Sequence, residues 1–302
     1  MTASSLRIAI VETLDAPLDA AANVAGALVT LQRAAEAGAE LVIFPELSVS
    51  GYSCGSDVAR RAAAAAGTLD RLQAAADQLG VSAVVGLPLF HGQFLFNDVA
   101  VLRPGRPAEH YAKTHLYPAE HGCFSPGDRF WTGAIAGWPC GILVCYEIGF
   151  PEIARALALA SAQLLLVPAA FGRARGRIWR TATVARALEN GGFLAAAGQA
   201  GTNDALLFLG QSRVVDPFGR VIAGADAVDA ADGGSRSADA AAEPAFELDT
   251  RGGRHTVWLA DLDADSVAAA RAGEDGWHRY FEDRRPELYA PLAAPRAATS
   301  RG

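Results

Sequence analysis

The amino-acid sequence predicts a layered α/β fold built on a mixed β-sheet. Short apolar runs typical of buried strands alternate along the chain with longer segments of helical pattern. Two strand-like runs are separated only by turn residues, which indicates a hairpin in addition to strands that are separated by helices. Single strands between helices, together with hairpin pairs, indicate a mixed sheet covered by helices.

In the first half of the chain, glycines mark where helical patterns end. An Ala-rich helical pattern stops at Gly38, and a second one stops at Gly80. Residues 91–93 are turn formers that join two strand-like runs into the predicted hairpin. The predicted strands are 6–11, 41–44, 81–87 and 94–102, and the predicted helices are 20–37 and 57–79.

The second half continues the alternation to about residue 260. The predicted strands are 142–144, 164–167, 193–197, 212–215 and 257–260, and helical patterns cover 151–161 and 181–189. No linker divides the chain, so we expect a single domain over residues 1–292. Residues 225–245 have almost no large apolar side chain and are predicted to be a flexible surface loop, and residues 293–302 a disordered tail.

Composition excludes several classes of function. Apolar residues make up 51% of the 302 residues, which is enough for a sizeable core. The net charge of -7 disfavours nucleic acid and anionic membranes as partners. The N-terminal apolar run 8–11 is too short for a signal peptide, so we expect a cytoplasmic protein. Its four cysteines form no C-x-x-C pair, so the expectation is free thiols and no metal site.

Cys145 is the first candidate for chemistry. It follows the apolar run G-I-L-V, and a helix is predicted to begin at Pro151. A turn between strand and helix holds a side chain rigidly near backbone N–H groups and the helix dipole, which favour a thiolate. A nucleophile elbow is such a turn, and it presents a reactive side chain at the end of a strand. The alternative is a buried structural thiol, the more frequent role of an isolated cysteine.

Glu46 and Lys113 are the next candidates. Glu46 comes directly after the strand 41–44, at the strand end where α/β sheets place their ligands. A thiol hydrolase needs a base for the thiol proton and a donor for the oxyanion. None of the six histidines lies in a recognisable thiol-protease context, and a carboxylate with a lysine also meets both needs. Taken singly, Glu46 fits an exposed loop acid equally well, and Lys113 fits a solvated surface lysine better than a catalytic one.

The segments around these three residues resemble the Glu–Lys–Cys signature of the carbon–nitrogen hydrolase (nitrilase) superfamily. The matching runs are L-V-I-F-P-E-L-S-V-S-G-Y with Glu46, Y-A-K-T-H-L-Y with Lys113 and G-I-L-V-C-Y-E-I-G-F-P-E with Cys145. Further matches are A-R-A-L-E-N at 185–190, D-P-F-G at 216–219 and D-R-R-P-E-L-Y at 283–289. The resemblance therefore extends over about residues 6–290.

The resemblance implies roles for further residues. Glu120, in E-H-G-C-F-S-P-G-D, matches a second glutamate that positions substrate and assists proton transfer. The backbone N–H of Tyr146 is expected to help stabilise the oxyanion, and Tyr52 and Phe171 are expected to contact substrate.

The fold implied by the resemblance is a four-layer α/β/β/α sandwich with mixed sheets, usually in a homodimer or a higher homo-oligomer. The implied activity is hydrolysis of a small-molecule amide with water. Glu46 would activate Cys145, a thioester would form, and ammonia or an amine would leave. The implied mechanism needs no cofactor and no metal, because the covalent intermediate and the fixed charges supply the catalysis.

Several alternatives remain open at this point. The same triad hydrolyses nitriles or N-carbamoyl compounds in relatives, although C-Y-E after the strand resembles amidases more than nitrilases. A non-catalytic α/β binding module is a further alternative. Ile148 and Gly149 occupy positions where relatives that bind a substrate carboxylate carry arginine, which favours neutral amides. Three nearby arginines are the alternative partners for a substrate carboxylate: Arg173, Arg175 and Arg177.

Overall fold

The structure is a computed structural model that describes residues 3–203, 206–225, 243–273 and 279–294. The helices within these ranges are α1 (Ala20–Glu36), α2 (Val58–Ala66), α3 (Leu69–Leu79), α4 (Pro151–Leu159), α5 (Gly176–Leu188) and α6 (Ala264–Ala272). The strands are β1 (Ser5–Leu14), β2 (Leu41–Ile43), β3 (Ser82–His91), β4 (Phe94–Leu102), β5 (Glu109–Ala112), β6 (Thr132–Ile135), β7 (Trp138–Ile142), β8 (Leu164–Ala169), β9 (Phe193–Asn203), β10 (Leu206–Leu209), β11 (Arg213–Val215), β12 (Val221–Gly224), β13 (Phe246–Thr250) and β14 (Gly253–Asp263).

The strands form two mixed sheets that join at one corner. In the first sheet the order is β5-β4-β3-β2-β1-β14-β13, with β1, β2 and β3 parallel and the others antiparallel. In the second the order is β6-β7-β8-β9-β11-β12, with β7, β8 and β9 parallel. The two sheets meet where the end of β1 pairs with β9 through Thr13 and Leu14.

Helices cover both sheets, so the molecule has four layers. One apolar cluster lies between the sheets and includes Ile10 and Val99 of the first sheet and Leu166 of the second. A separate apolar cluster packs α1 and α3, through Leu31 and Leu72, against the outer face of the first sheet. Helices α4 and α5 pack against the second sheet. The predicted α/β/β/α sandwich with mixed sheets is confirmed.

The boundaries of some predicted helices and strands differ from those in the structure. The helix predicted over 57–79 is two helices, α2 and α3, interrupted at Gly67 and Thr68. The Thr68 hydroxyl donates to the carbonyl oxygen of Ala65 at 2.6 Å, a local bond that competes with helix continuation. Strand β7 ends at Ile142 rather than at residue 144. Most of the predicted flexible loop 225–245 and of the tail 293–302 lies outside the described residues.

Close packing fixes the turn that follows β2. Gly86 of β3 lies against this turn, and a Cβ on Gly86 would be only 2.3 Å from the backbone nitrogen of Leu47. Leu47 itself has a φ of 49°, in the left-handed region that non-glycine residues seldom occupy. The backbone around Glu46 is thus held rigidly, which is what a functional side chain needs.

Acid sensitivity is predicted from His255, a buried residue of β14. Its Nδ1 lies 2.7 Å from Thr30 Oγ1 of α1, and burial lowers the pKa of His255 from 6.5 to about 4. Between these two pH values the unfolded chain binds a proton that the folded protein does not, so stability falls as the pH drops from about 6.5 to about 4. The loss should reach about 3 kcal/mol.

The variant His255→Asn keeps a polar atom near Thr30 but does not titrate. We expect a smaller drop in thermal midpoint between pH 7 and pH 4.5 for this variant than for the wild type, measured by scanning calorimetry. Replacement of the exposed His121 by Asn should leave the wild-type drop unchanged. An undiminished drop in the His255 variant would contradict the assignment.

Candidate active site

Four residues that the sequence singled out come together in one buried cluster. Glu46 follows β2, and Lys113 follows β5. Glu120 ends a 3-10 turn at Pro118–Glu120, and Cys145 begins another at Cys145–Gly149. The side chains of Glu46, Lys113 and Glu120 are 0% exposed. Cys145 as a whole is 6% exposed, so the cluster is largely withdrawn from solvent.

The Glu46 carboxylate accepts hydrogen bonds on both oxygens. Its Oε1 accepts from Lys113 Nζ at 2.7 Å and from Asn97 Nδ2 at 2.8 Å. Its Oε2 accepts from the backbone N–H of Ala170 at 2.9 Å. The backbone oxygen of Glu46 accepts from Gln199 Nε2 at 2.8 Å. Charge-assisted bonds of this kind fix the position of the carboxylate and stabilise it without water.

The Lys113 ammonium lies between two carboxylates. Its Nζ is 2.7 Å from Glu46 Oε1 and 2.9 Å from Glu120 Oε2. Burial alone would lower the pKa of Lys113, but Glu46, Cys145 and Glu120 outweigh it and raise the pKa. Lys113 therefore remains a cation at the centre of the site. It is also the only lysine in the chain, a sequence signal that sets it apart from the surface cations, which are all arginines.

Glu120 is the second carboxylate of the cluster. Its Oε1 accepts from the Tyr52 hydroxyl at 2.9 Å and from Lys113 Nζ at 3.0 Å. Its Oε2 accepts from the backbone N–H of Tyr117 at 2.8 Å. Burial, followed by the negative charge of Glu46, raises the pKa of Glu120, while Lys113 opposes the rise. Glu120 is thus easier to protonate than an exposed glutamate.

Asn97 belongs to the site although the sequence analysis did not identify it. It is fully buried on β4, and its Nδ2 donates to Glu46 Oε1 at 2.8 Å and to Glu120 Oε1 at 3.2 Å. Its backbone oxygen accepts from the N–H of Lys113 at 2.9 Å. The available signal was an Asn-Asp pair inside the otherwise apolar strand F-L-F-N-D-V-A-V-L.

Cys145 has an unusual backbone and a neutral resting side chain. Its φ is 50°, in the strained left-handed region, as found at residues held for function. Burial, followed by the charge of Glu46, raises the pKa of Cys145 well above its usual value, and Lys113 offsets only part of this. The expectation that the turn alone would favour a thiolate is therefore wrong. The thiol needs a base, and the Glu46 side chain is close enough to it to raise its pKa.

Glu147 ties the cysteine segment to the lysine segment, and sequence analysis also missed this role. Its Oε2 accepts from the N–H of Val144 at 2.7 Å. Its Oε1 accepts from the N–H groups of Thr114 at 2.8 Å and His115 at 3.1 Å. Both oxygens accept from the Tyr111 hydroxyl at 2.9 Å.

The ionisation of Glu147 follows from these donors. Burial would raise the pKa of Glu147, but hydrogen bonds from His115, Thr114 and Val144 outweigh it and lower the pKa. The signal in the sequence was an acid two residues after Cys145, next to a buried strand.

Aromatic residues pack around Tyr146, the residue that follows Cys145. Tyr146 packs edge-on against Tyr117, with ring centroids 5.6 Å apart. Arg175 donates from Nη1 to the Tyr117 hydroxyl at 2.6 Å and lies over the rings of Tyr117 and Phe171 at 4.5 and 5.2 Å. Tyr52 contacts Glu120 directly, whereas Phe171 reaches the cluster through its neighbour Ala170.

The predicted alternatives for carboxylate binding are not equivalent. Arg175 is half-buried and engaged with two aromatic rings, while Arg173 and Arg177 are exposed. Ile148 is fully buried and Gly149 is exposed. Of the three arginines, only Arg175 therefore lies at the site.

Within the part of the chain that the structure describes, no group of three or more His, Cys, Asp and Glu side chains is placed to hold a metal ion. No helix in that part of the chain has the length and apolar character to cross a membrane.

Comparison with known proteins decides the family. Residues 5–230 match the profile of the carbon-nitrogen hydrolase family. The chain belongs to this family. Among relatives, an (R)-stereoselective amidase of Pseudomonas sp. is 36% identical over 248 residues, which are 82% of this chain and 80% of the amidase. A hydrolase in the pqqF 5′ region of Pseudomonas protegens is 32% identical over 296 residues, covering 96% of this chain and 92% of that protein.

Solved structures agree with this assignment. An amidase from Nesterenkonia sp. superposes on this carbon-nitrogen hydrolase with a TM-score of 0.76 and 28% identity, covering 96% of this chain and 97% of the amidase. Mutant forms of the Nesterenkonia sp. AN1 amidase show Michael addition of acrylamide, and covalent addition of the acetamide moiety of fluoroacetamide, at the active-site cysteine. The present carbon-nitrogen hydrolase is accordingly an amide-hydrolysing enzyme of the nitrilase superfamily.

Replacing Glu147 with Gln tests its connecting role. A glutamine side chain presents an NH₂ group to buried donors, so at least one bond to a charged acceptor is lost, at a cost of about 1.5–3 kcal/mol in unfolding free energy. We expect amidase activity to fall at least tenfold as well, because Val144 precedes Cys145 and Thr114 follows Lys113. Glu152→Gln, an exposed change in the first turn of α4, should alter neither quantity. Wild-type stability and activity in the Glu147 variant would show that the connection is dispensable.

Proposed function

We propose that the enzyme hydrolyses the C–N bond of a small, uncharged linear amide, with Cys145 as the nucleophile. The observation that carries the proposal is the buried ion pair of Glu46 and Lys113 beside the Cys145 thiol. A neutral thiol, a carboxylate and a fixed cation are the three groups that this reaction needs.

In the first half of the reaction, Glu46 takes the proton of Cys145 as the sulfur attacks the amide carbonyl carbon. Negative charge then develops on the carbonyl oxygen, where Lys113 Nζ and the backbone N–H of Tyr146 stabilise it. Tyr146 is in the first turn of a 3-10 segment, whose leading N–H groups lack partners within the helix. Collapse of the intermediate expels ammonia or an amine, which takes its proton from Glu46, and leaves a thioester on Cys145.

In the second half, Glu46 removes a proton from a water molecule that attacks the thioester. The same donors stabilise the second oxyanion. The carboxylic acid leaves, and the Cys145 sulfur regains its proton from Glu46. The Glu46 carboxylate is thus used as base and acid in turn, and its fixed contacts with Asn97 and Ala170 keep it in place for both roles.

Glu120 and the aromatic residues are proposed to position the substrate. Glu120 bonds Lys113 and Tyr52, so it can accept a hydrogen bond from the substrate NH₂ group without moving. Tyr52 and Phe171 are proposed to contact the acyl group. Arg175 is already engaged by Tyr117 and Phe171, which supports a neutral substrate over one that carries a carboxylate.

Ammonia release across a substrate panel tests the proposal. Simple neutral amides should be hydrolysed faster than α-keto-acid amides, N-carbamoyl amino acids and nitriles of the same size. Cys145→Ala should lose activity by several orders of magnitude and remain folded, because no neighbouring group can form the thioester. Cys140→Ala, which removes a buried thiol on β7, is the matched control and should keep its activity. More than about a tenth of wild-type activity in folded Cys145→Ala would refute the nucleophile.

Replacing Lys113 with Met tests what the positive charge of Lys113 contributes to the reaction. Loss of one oxyanion donor typically costs roughly 10²–10³ in rate. Lys113 also lowers the pKa values of Cys145 and Glu120, so its removal raises both and makes proton release harder. Residual activity should therefore need a higher pH than wild-type activity does. The measurement is kcat/KM against pH. An acidic limb that does not move, together with a rate within about tenfold of wild type, would contradict this role.

A further inference from the structure

Two thiols outside the reacting cluster lie next to each other. The Cys123 thiol donates to the backbone oxygen of Cys54, with the sulfur 2.8 Å from that oxygen. The Cys123 side chain is also close enough to raise the pKa of the Cys54 thiol. Both residues are half-buried, whereas Cys140 is fully buried and Cys145 is 6% exposed. The Cys54–Cys123 pair is therefore more accessible than the other two cysteines.

This pair connects two loops that carry residues of the site. Cys54 comes two residues after Tyr52, and Cys123 comes three residues after Glu120. The N–H of Cys123 donates to the backbone oxygen of Glu120 at 2.9 Å. Both cysteines pack against the apolar cluster that contains Tyr52 and Phe124. A covalent link between them would therefore join the loop of Tyr52 to the loop of Glu120.

We propose that Cys54 and Cys123 are an oxidative modification site, at which a hydroperoxide converts the two thiols into a reversible disulfide. The cysteines are 69 residues apart in the chain, so the bond would close a long loop. A disulfide requires the two sulfurs to approach to about 2.05 Å. The Cys123 sulfur lies 2.8 Å from the Cys54 carbonyl oxygen, so formation of the bond requires the two side chains to turn towards each other.

The chemistry assigns different roles to the two thiols. Burial first, and then Cys123 and Glu120, raise the pKa of Cys54 to about 12, so Cys54 is seldom a thiolate. Cys54 is therefore assigned the second step, and the first step falls to its neighbour Cys123. With hydrogen peroxide, the Cys123 sulfur attacks one oxygen, the O–O bond breaks, and the thiol proton leaves with the other oxygen, so that sulfenic acid and water result. The Cys54 sulfur then displaces hydroxide from this sulfenic acid, and its proton leaves with the hydroxide as a second water. Peroxide has then gained the two electrons that the two sulfurs have lost.

Peptide mapping of the full-length protein tests the proposal. Reduced wild-type protein is treated with an equimolar amount of hydrogen peroxide, quenched, digested without reductant and analysed by mass spectrometry. We expect a linked peptide that contains Cys54 and Cys123 and is lighter by two hydrogens than the sum of the free peptides, and we expect dithiothreitol to restore both thiols. The oxidised protein should also have a higher thermal midpoint, because the link restrains the unfolded chain.

Two matched variants separate the roles of the thiols. In Cys54→Ser the sulfenic acid on Cys123 should persist and be trapped by dimedone. In Cys123→Ser no dimedone adduct should form on Cys54. Each variant should lose the rise in thermal midpoint.

Three outcomes would overturn the proposal: no linked peptide from the wild type, whether or not Cys145 is oxidised, a link from either residue to Cys145, or further oxidation of Cys123 without a link. Because the readout is a peptide mass and not a rate, the result is independent of the proposed amidase function.

Discussion

The structure around the site depends on one buried cation held between two carboxylates. Removing Lys113, Glu46 and Glu120 from water is costly, and only close pairing offsets that cost. The charges therefore need supporting donors from several elements: Asn97 on β4, the backbone of Ala170 after β8, and Tyr52. The strained backbones at Leu47 and Cys145 are tolerated because this network and the tight packing around it leave them no alternative.

The two sheets bring the ends of several strands together at the site. Glu46 and Lys113 follow strands of the first sheet, and Cys145 follows a strand of the second. Glu147 bonds backbone groups next to Cys145 and next to Lys113, so one carboxylate sets the relative position of these two residues. Glu147 is fully buried and ionised, and it fixes the segments that carry Cys145 and Lys113. It is therefore as much a part of the site as those two residues.

The sequence predicted the layered fold from strand and helix periodicity, which is a short-range signal. Its resemblance to a known family singled out the four residues that the structure brings together in the buried cluster. It missed Asn97 and Glu147, whose roles arise from contacts across the fold, 51 residues apart in the chain for Asn97 and Glu46. The state of Cys145 was also misjudged. A turn geometry is local, but the burial and the carboxylate charges that raise the pKa of this thiol come from distant segments.

The single lysine has a consequence outside catalysis. Since Lys113 is the only lysine and its side chain is 0% exposed, the folded surface offers no ε-amino group. Amine-directed acylating reagents should leave the side chains of the folded enzyme untouched, and lysine acetylation or ubiquitin-type conjugation has no surface target. Modification at this one position would instead report how often the buried cluster around Lys113 opens to solvent. Lys113 can thus serve as a probe for local unfolding at the proposed active site.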